Sequence, residues 1–313
     1  MKKLLALCVG VLILTGGFAA SGISQTENPN PIAQFLEVSP PKYDINIQPG
    51  QSVTQQVTLR NRHVSSIRLK TSFNNILADG DNGDVKPAFE PTPYDLARYA
   101  QVENSEFTLP PQQTRVVTVT LTVPRDVAPG GYYGMVRFTP TVRSDLPPVA
   151  IQGQIAALFL VRVPGPTTEK GTIKSFDVTN ADGRKVGGVF IGNDLYWKTI
   201  VRNEGKVHFA TAANVTAKDK FGGERYKNST DARNVFPDGE RRFEQRWENA
   251  KTGLYTTTVK APLPGDTNAQ KTLRVLVITP VFAMITAGVV ALLVLILLTW
   301  LIRRRRRRRD VAL

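Results

Sequence analysis

Thr114-Arg115-Val116-Val117-Thr118-Val119-Thr120-Leu121-Thr122-Val123 is the stretch that decides the fold. Side chains along an extended strand alternate between its faces, so Val117, Val119, Leu121 and Val123 share one side and Thr118, Thr120 and Thr122 the other. β-branched residues hold most positions, which suits a pleated surface buried on one face. The segment reads as a strand of an antiparallel sheet packed on a core.

The chain continues as Pro124-Arg125-Asp126-Val127-Ala128-Pro129-Gly130-Gly131-Tyr132-Tyr133-Gly134-Met135-Val136-Arg137-Phe138. Pro129 pre-sets one backbone angle and Gly130 or Gly131 supplies a positive φ, so these three residues form a structural turn. In the strand that follows, Tyr132, Val136 and Phe138 face opposite to Tyr133, Met135 and Arg137. Moving back, Phe35 to Val38 and Tyr43 to Ile47 alternate in the same way, with Tyr43, Ile45 and Ile47 on one face. After the Pro49-Gly50 turn, Ser52 to Arg60 offers Val53, Val57 and Leu59 to the core. Ile67, Leu69, Thr71 and Phe73 form the next strand. Between Asn74 and Asn104 the strand pattern fails, apart from a turn or two of helix at Pro93 to Tyr99. Ile151 to Val163 is the last strand of a domain spanning residues 35–163.

Within the irregular stretch, Asp79, Asp81, Asp84 and Glu90 approach the spacing of a calcium loop. Gly83 stands at a ligand position, however, and Asp84 where the tight turn requires glycine. The better reading is a solvated turn of Asp and Gly residues.

Pro164 to Lys170 is a short linker, and residues 171–279 form a second sandwich. Its strands are expected at Thr172 to Thr179, Asp194 to Asn203, Ala210 to Ala217, Arg241 to Trp247, Gly253 to Lys260 and Lys271 to Ile278, separated by turn sequences such as Asp182-Gly183 and Pro264-Gly265. Trp197 and Trp247 are read as core. His63 and His208 each stand alone beside a strand and are read as surface residues. The fold class is therefore all-β: two tandem immunoglobulin-like β-sandwiches followed by one transmembrane helix.

That helix is Val281 to Ile302, twenty-two uncharged and mostly apolar residues preceded by Pro280. At about 1.5 Å per residue it reaches roughly 33 Å, enough to cross a hydrocarbon core. Arg303, Arg304, Arg305, Arg306, Arg307, Arg308 and Arg309 follow, and such a basic flank stays cytoplasmic. Ala283, Ala287, Gly288 and Ala291 make one face of the span small, a pattern that permits helix pairing and self-association. At the other end, Lys2 and Lys3, an apolar run from Leu4 to Thr15 and small residues to Ser24 form a signal peptide over 1–24, followed by a polar leader, 25–34. The expected localisation is the cell membrane, single-pass, with residues 25–278 outside and the tail, 303–313, inside. Cys8, the sole cysteine, falls in the signal, which excludes a disulfide framework.

The formal charge of +14 invites a nucleic-acid reading until topology is applied. Without Lys2, Lys3, the seven terminal arginines and Asp310, the 40 basic and 26 acidic residues fall to 31 and 25. That modest excess favours acidic envelope polymers and leaves no nucleic-acid partner. The arginine run beside a span faces anionic lipid instead.

Tyr94-Asp95-Leu96-Ala97-Arg98-Tyr99, Phe107-Thr108-Leu109-Pro110-Pro111-Gln112 and the run from Val123 to Gly134, above all Pro129-Gly130-Gly131-Tyr132-Tyr133-Gly134, resemble the N-terminal domain of bacterial WxL-interacting proteins. The resemblance covers roughly residues 35–163, and the layout of signal, two domains, span and basic tail is similar too. It implies a cell-surface protein whose first domain contacts peptidoglycan and whose partners are wall-associated proteins. The second domain carries no residue pattern that extends the likeness.

No His-Glu-x-x-His pair, no Gly-x-Ser-x-Gly elbow and no phosphate loop occurs, so the chain is read as non-catalytic and without cofactor. Two classes of function remain. One is an anchored surface protein that binds cell-wall polymer, other surface proteins or both, and sediments with peptidoglycan in a salt-sensitive manner. The other is a membrane-tethered assembly factor that adds a strand to secreted clients.

Overall fold

The computed structural model describes residues 35–103, 105–141 and 154–309, and of Arg304 to Arg309 the backbone alone. The signal peptide, the leader, the last four residues and the expected strand positions 151–153 lie outside the described residues.

The first domain comprises β1 (Leu36–Ser39), β2 (Lys42–Asn46), β3 (Ser52–Asn61), β4 (Ile67–Asp79), β5 (Asp84–Ala88), β6 (Ala100–Val102), β7 (Glu106–Leu109), β8 (Thr114–Thr122), β9 (Gly130–Pro140) and β10 (Ile155–Val163). One sheet has the order β1-β3-β8-β6 and the other β2-β10-β9-β4-β5, with β7 also on β4. The apolar positions read from alternation meet between them: Val57, Leu59, Val117, Val119, Leu121, Val136 and Phe138 are fully buried. Tyr43, Ile45 and Val53 pack against the same core.

The second domain comprises β11 (Gly171–Thr179), β12 (Val189–Ile191), β13 (Leu195–Asn203), β14 (Phe209–Thr211), β15 (Asn214–Asp219), β16 (Glu224–Ser229), β17 (Arg233–Val235), β18 (Glu240–Trp247), β19 (Gly253–Lys260) and β20 (Gln270–Ile278). Sheet β11-β13-β18 packs on β12-β20-β19-β15-β16, and β14 pairs with β17. Trp197 is buried in this core and Trp247 packs against it.

Both sandwiches use the same two locks. Tyr132 and Tyr255 each donate a hydroxyl hydrogen bond to the carbonyl four residues upstream, Ala128 and Lys251, at 2.9 Å, the tyrosine corner of immunoglobulin-like sandwiches. Asn61 and Asn203, wholly buried at the ends of β3 and β13, tie down the loops that follow them. The Asn61 amide donates to the carbonyls of Ser65, Leu109 and Pro110, and its oxygen accepts from His63 N–H. The Asn203 amide donates to Val207 and Val235, and its oxygen accepts from Gly205 N–H. This internal parallel is what makes the domains a tandem pair.

The irregular stretch expected from Asn74 to Asn104 contains more sheet than its sequence suggests. β4 runs through to Asp79, β5 returns beside it, and β6 joins β8. Asn74 and Asn75 interrupt the apolar alternation, yet Asn75 is buried because its amide donates to Asp95 at 2.7 Å and its oxygen accepts from Ala97 N–H at 2.8 Å. Of the helical turns expected at Pro93 to Tyr99, one turn at Ala97–Tyr99 forms. In the second domain, β12, β16 and β17 were not legible; β16 is exposed along nearly its whole length and so has no apolar face to alternate. The strand expected at Ala210 to Ala217 is split into β14 and β15.

Helix α1 (Pro280–Arg309) follows β20, and residues 280–303 are long and apolar enough to cross a membrane. The expected boundary at Ile302 is passed: the helix continues through the arginines, which are good helix formers. Ala287, Gly288 and Ala291 are exposed along it.

Removing one lock should be felt within its own domain. Tyr132→Phe is expected to cost about 1 kcal/mol, the worth of one hydrogen bond. Asn203→Ala, which strands two buried carbonyls and an N–H, is expected to cost about 3 kcal/mol. Denaturant unfolding of the purified protein checks both.

Candidate functional site

The turn expected at Pro129-Gly130-Gly131 is a bend at Pro129 only, and Gly130 and Gly131 are already the first residues of β9, which positions the first group of functional side chains. Gly130 lies at φ 149°, a backbone conformation that side chains disfavour. Gly131 serves a different need, because a Cβ there would stand 2.0 Å from the Tyr133 hydroxyl. The Tyr133 ring lies back over Gly131, while Tyr132 points into the first core. Tyr133 points the other way, into a smaller apolar cluster with Ile76, Met135, Leu160 and, from the second domain, Phe236.

Around that cluster the domains are joined by polar contacts. The Tyr133 hydroxyl accepts the backbone N–H of His208 at 2.7 Å and lies 3.1 Å from its Nδ1. Nδ1 therefore accepts the phenolic proton, which leaves the ring proton on Nε2, 3.2 Å from Asp44 Oδ2. Gly131 N–H donates to the Lys206 carbonyl at 3.0 Å, and Tyr94 donates its hydroxyl to Asp238 at 2.8 Å. Burial raises the Tyr133 phenol; burial and the Asp238 carboxylate raise that of Tyr94. His208 is 7% exposed, which corrects its reading as a surface residue: its cover is the other domain, which local sequence does not reveal. Burial lowers its pKa, opposed by Asp44 and assisted by Arg162 and Lys42.

The acidic turn between β4 and β5 belongs to this joint. Asp81 faces Lys198 at 3.4 Å and Arg242 at 3.5 Å, and its carbonyl accepts the Arg242 N–H. Asp79 pairs with Lys86 at 3.1 Å, and the Asn82 side chain accepts from Arg242. Among the described residues no group of three or more His, Cys, Asp or Glu could hold a metal ion. Asp84 and Glu90 join no such group.

A second surface lies on the outer side of β1-β3-β8-β6. Register sets Ser52 opposite Thr122, Thr54 opposite Thr120, Gln56 opposite Thr118, Thr58 opposite Val116, and Gln101 beside Thr120. The Ser52 and Thr122 hydroxyls lie 2.8 Å apart and those of Thr54 and Thr120 3.2 Å. Glu37 and Arg60, opposite each other, mark one end. The centre is a lattice of hydroxyls and amides, spaced about 4.8 Å across strands and about 6.8 Å along them. Such groups donate and accept without charge, as sugar hydroxyls and acetamides do.

Residues 37–140 match the family described as WxL Interacting Protein, peptidoglycan binding domain. The matched stretch lies within the first domain and covers 104 of the 313 residues. No curated protein matches the chain. Among solved structures, a chaperone and tip adhesin complex of CFA/I fimbriae biogenesis is 13% identical over 77% of this chain and 98% of that one, with a TM-score of 0.38. The class 5 fimbriae chaperone CfaA is 14% identical over 77% and 99%, with a TM-score of 0.36. The E. coli chaperone DraB is 13% identical over 76% and 98%, with a TM-score of 0.32. These likenesses are too distant to bear on function.

The Pro-Gly-Gly-Tyr-Tyr-Gly segment thus sends Tyr132 into the first core and Tyr133 against the second domain. The polar lattice, wholly inside the matched region, was not read from the sequence as a site. Its signal was the run of threonines at Thr118, Thr120 and Thr122, opposite the apolar face.

Two outcomes test the joint. Gly130→Val and Gly131→Val are each expected to destabilise the first domain by about 1–3 kcal/mol. Gly131→Val should in addition free the His208 ring, visible by NMR as solvent exchange of its Nε2 proton. The second outcome concerns pH. Because docking depresses the His208 pKa, its contribution is complete above the ordinary value of 6.5 and is lost as pH falls through the lowered one. Acidification below neutrality should therefore loosen the domains, as read by hydrogen exchange of the Gly131 and His208 amides, which are bonded across the joint, and less so in His208→Gln.

Proposed function

We propose that this protein is a membrane-anchored, non-catalytic surface protein that holds cell-wall polymer through its first domain. The match of residues 37–140 to a peptidoglycan-binding family carries this reading. The outer face of β1-β3-β8-β6 is the contact surface: Thr54, Gln56, Thr118 and Thr120 exchange hydrogen bonds with glycan hydroxyl and acetamido groups. With α1 across the membrane and its arginines inside, both sandwiches stand outside the cell. Other surface proteins are further partners.

The assembly-factor reading has less support. Strand addition needs an open sheet edge. Edge strands β1, β6 and β12 are only three or four residues long and the Lys174 carbonyl on edge strand β11 is taken by the Lys271 ammonium at 2.8 Å, so that β16 and β18, six and eight residues long, are the longest edges left for such a reading.

Thr54→Val with Thr120→Val, which removes both hydroxyls and keeps the β-branched shape, is expected to weaken sedimentation of the purified protein with peptidoglycan about tenfold, the equivalent of one or two hydrogen bonds, with little change in melting temperature. An uncharged contact face also predicts only weak dependence on salt, in place of the salt sensitivity that net charge alone suggested. Unchanged sedimentation of the double variant would put the contact elsewhere. Protease added to intact protoplasts should remove both sandwiches; their protection would defeat the orientation.

A further inference from the structure

The second domain ends where α1 begins. Ile278 closes β20, Pro280 opens the helix, and Thr279 alone separates them. Thr279 is clamped: its N–H donates to Thr252 Oγ1 at 2.9 Å, and the two hydroxyls lie 2.9 Å apart. Pairing registers bring other segments to the same end. Gly253 of β19 lies opposite Val277, Asp219 of β15 opposite Tyr255, and Ile191 of β12 opposite Ile278. The turns 220–223 and 249–252 therefore stand at the foot of the helix.

This foot exposes apolar groups that water alone would not favour. Phe221 is 85% exposed, Ile191 67% and Leu254 46%. A groove of about 700 Å³ opens there, lined by Lys220, Phe221, Trp247, Lys251 and Leu254 among others. Most neighbouring carboxylates are already engaged. Asp219 pairs with Arg225 at 2.7 Å and accepts the N–H groups of Phe221 and Gly223. Asp194 and Glu248 pair with Arg246 at 2.5 and 3.1 Å, while Glu224, opposite Lys218 in register, joins no ion pair among the described residues. Lys220, 4.9 Å from the Phe221 ring centroid, and Lys251 have no carboxylate partner among the described residues.

We propose that this foot rests on the bilayer and that its groove receives the phosphodiester headgroup of an anionic phospholipid. Lys220 and Lys251 meet the phosphate, while Phe221 and Leu254 enter the boundary between headgroups and acyl chains. Basic and apolar side chains on one rim are what an interfacial surface requires. The occupant follows from chain continuity, since one residue between β20 and α1 holds the groove at the membrane plane. The proposal rests on the reading that α1 spans the membrane.

Nitroxide labels at Leu254→Cys, Val64→Cys and Leu293→Cys test it, each in the full chain with Cys8→Ser, in nanodiscs of phosphatidylglycerol. Val64, exposed on the first domain, serves as the aqueous reference. Collision with a water-soluble nickel chelate is expected to be about threefold lower at residue 254 than at residue 64, and to rise when Lys220→Glu and Lys251→Glu are added. Equal collision at 254 and 64, with 293 shielded, would overturn the proposal and leave the span intact. Exposure of 293 to the chelate would overturn both. Equal protection of residue 254 in phosphatidylcholine would overturn the anionic headgroup assignment.

Discussion

The Tyr133 hydroxyl can donate one hydrogen bond and readily accept another, and both partners belong to one residue of the other domain, His208. That exchange sets the imidazole tautomer, and the tautomer directs Nε2 toward Asp44. The bonds form in an apolar cluster, where an unpaired polar group is costly, so the arrangement is held as a unit. Gly131 makes it sterically feasible, since any Cβ there would stand only 2.0 Å from the phenol oxygen. The Gly-Gly-Tyr-Tyr segment thus bonds one sandwich to the next.

Charge and neutrality are divided among the surfaces accordingly. The joint carries the acidic turn opposite Lys198 and Arg242, and the foot of the second domain carries lysines beside exposed apolar groups. The outer sheet face of the first domain is neutral at its centre. If the proposed glycan contact is made there, its hydroxyls and amides meet no desolvated charge, and selectivity would rest on the geometry of the strand lattice rather than on attraction at a distance.

Much of the fold was legible because burial follows local alternation. Val117, Val119 and Leu121 announced their strand, and the opposed sets Tyr132, Val136, Phe138 and Tyr133, Met135 occupy two different clusters, as alternation required. Legibility failed where a partner distant in sequence did the burying. Asn75 reads as a strand breaker until Asp95 and Ala97 satisfy its amide. His208 reads as a surface residue until Tyr133, 75 residues earlier, covers it. Asp81 reads as a turn or metal ligand until two cations more than 100 residues away are seen. A polar tip on each tyrosine of adjacent, oppositely facing positions was the one local hint, since a buried phenol needs a partner.

The clamp at Thr279 has a mechanical meaning. Tension between wall and membrane would leave the second domain through the end of β20 and pass into α1. β20 is hydrogen-bonded along its length, with eight register pairs to β19 and three to β12. Antiparallel ladder bonds lie across the strand axis, so a pull along β20 strains them together in shear instead of unzipping them singly. The last strand is thus tied into its sheet on both sides at the end where the load would arrive, and the anchor would yield only if the whole ladder gave way at once.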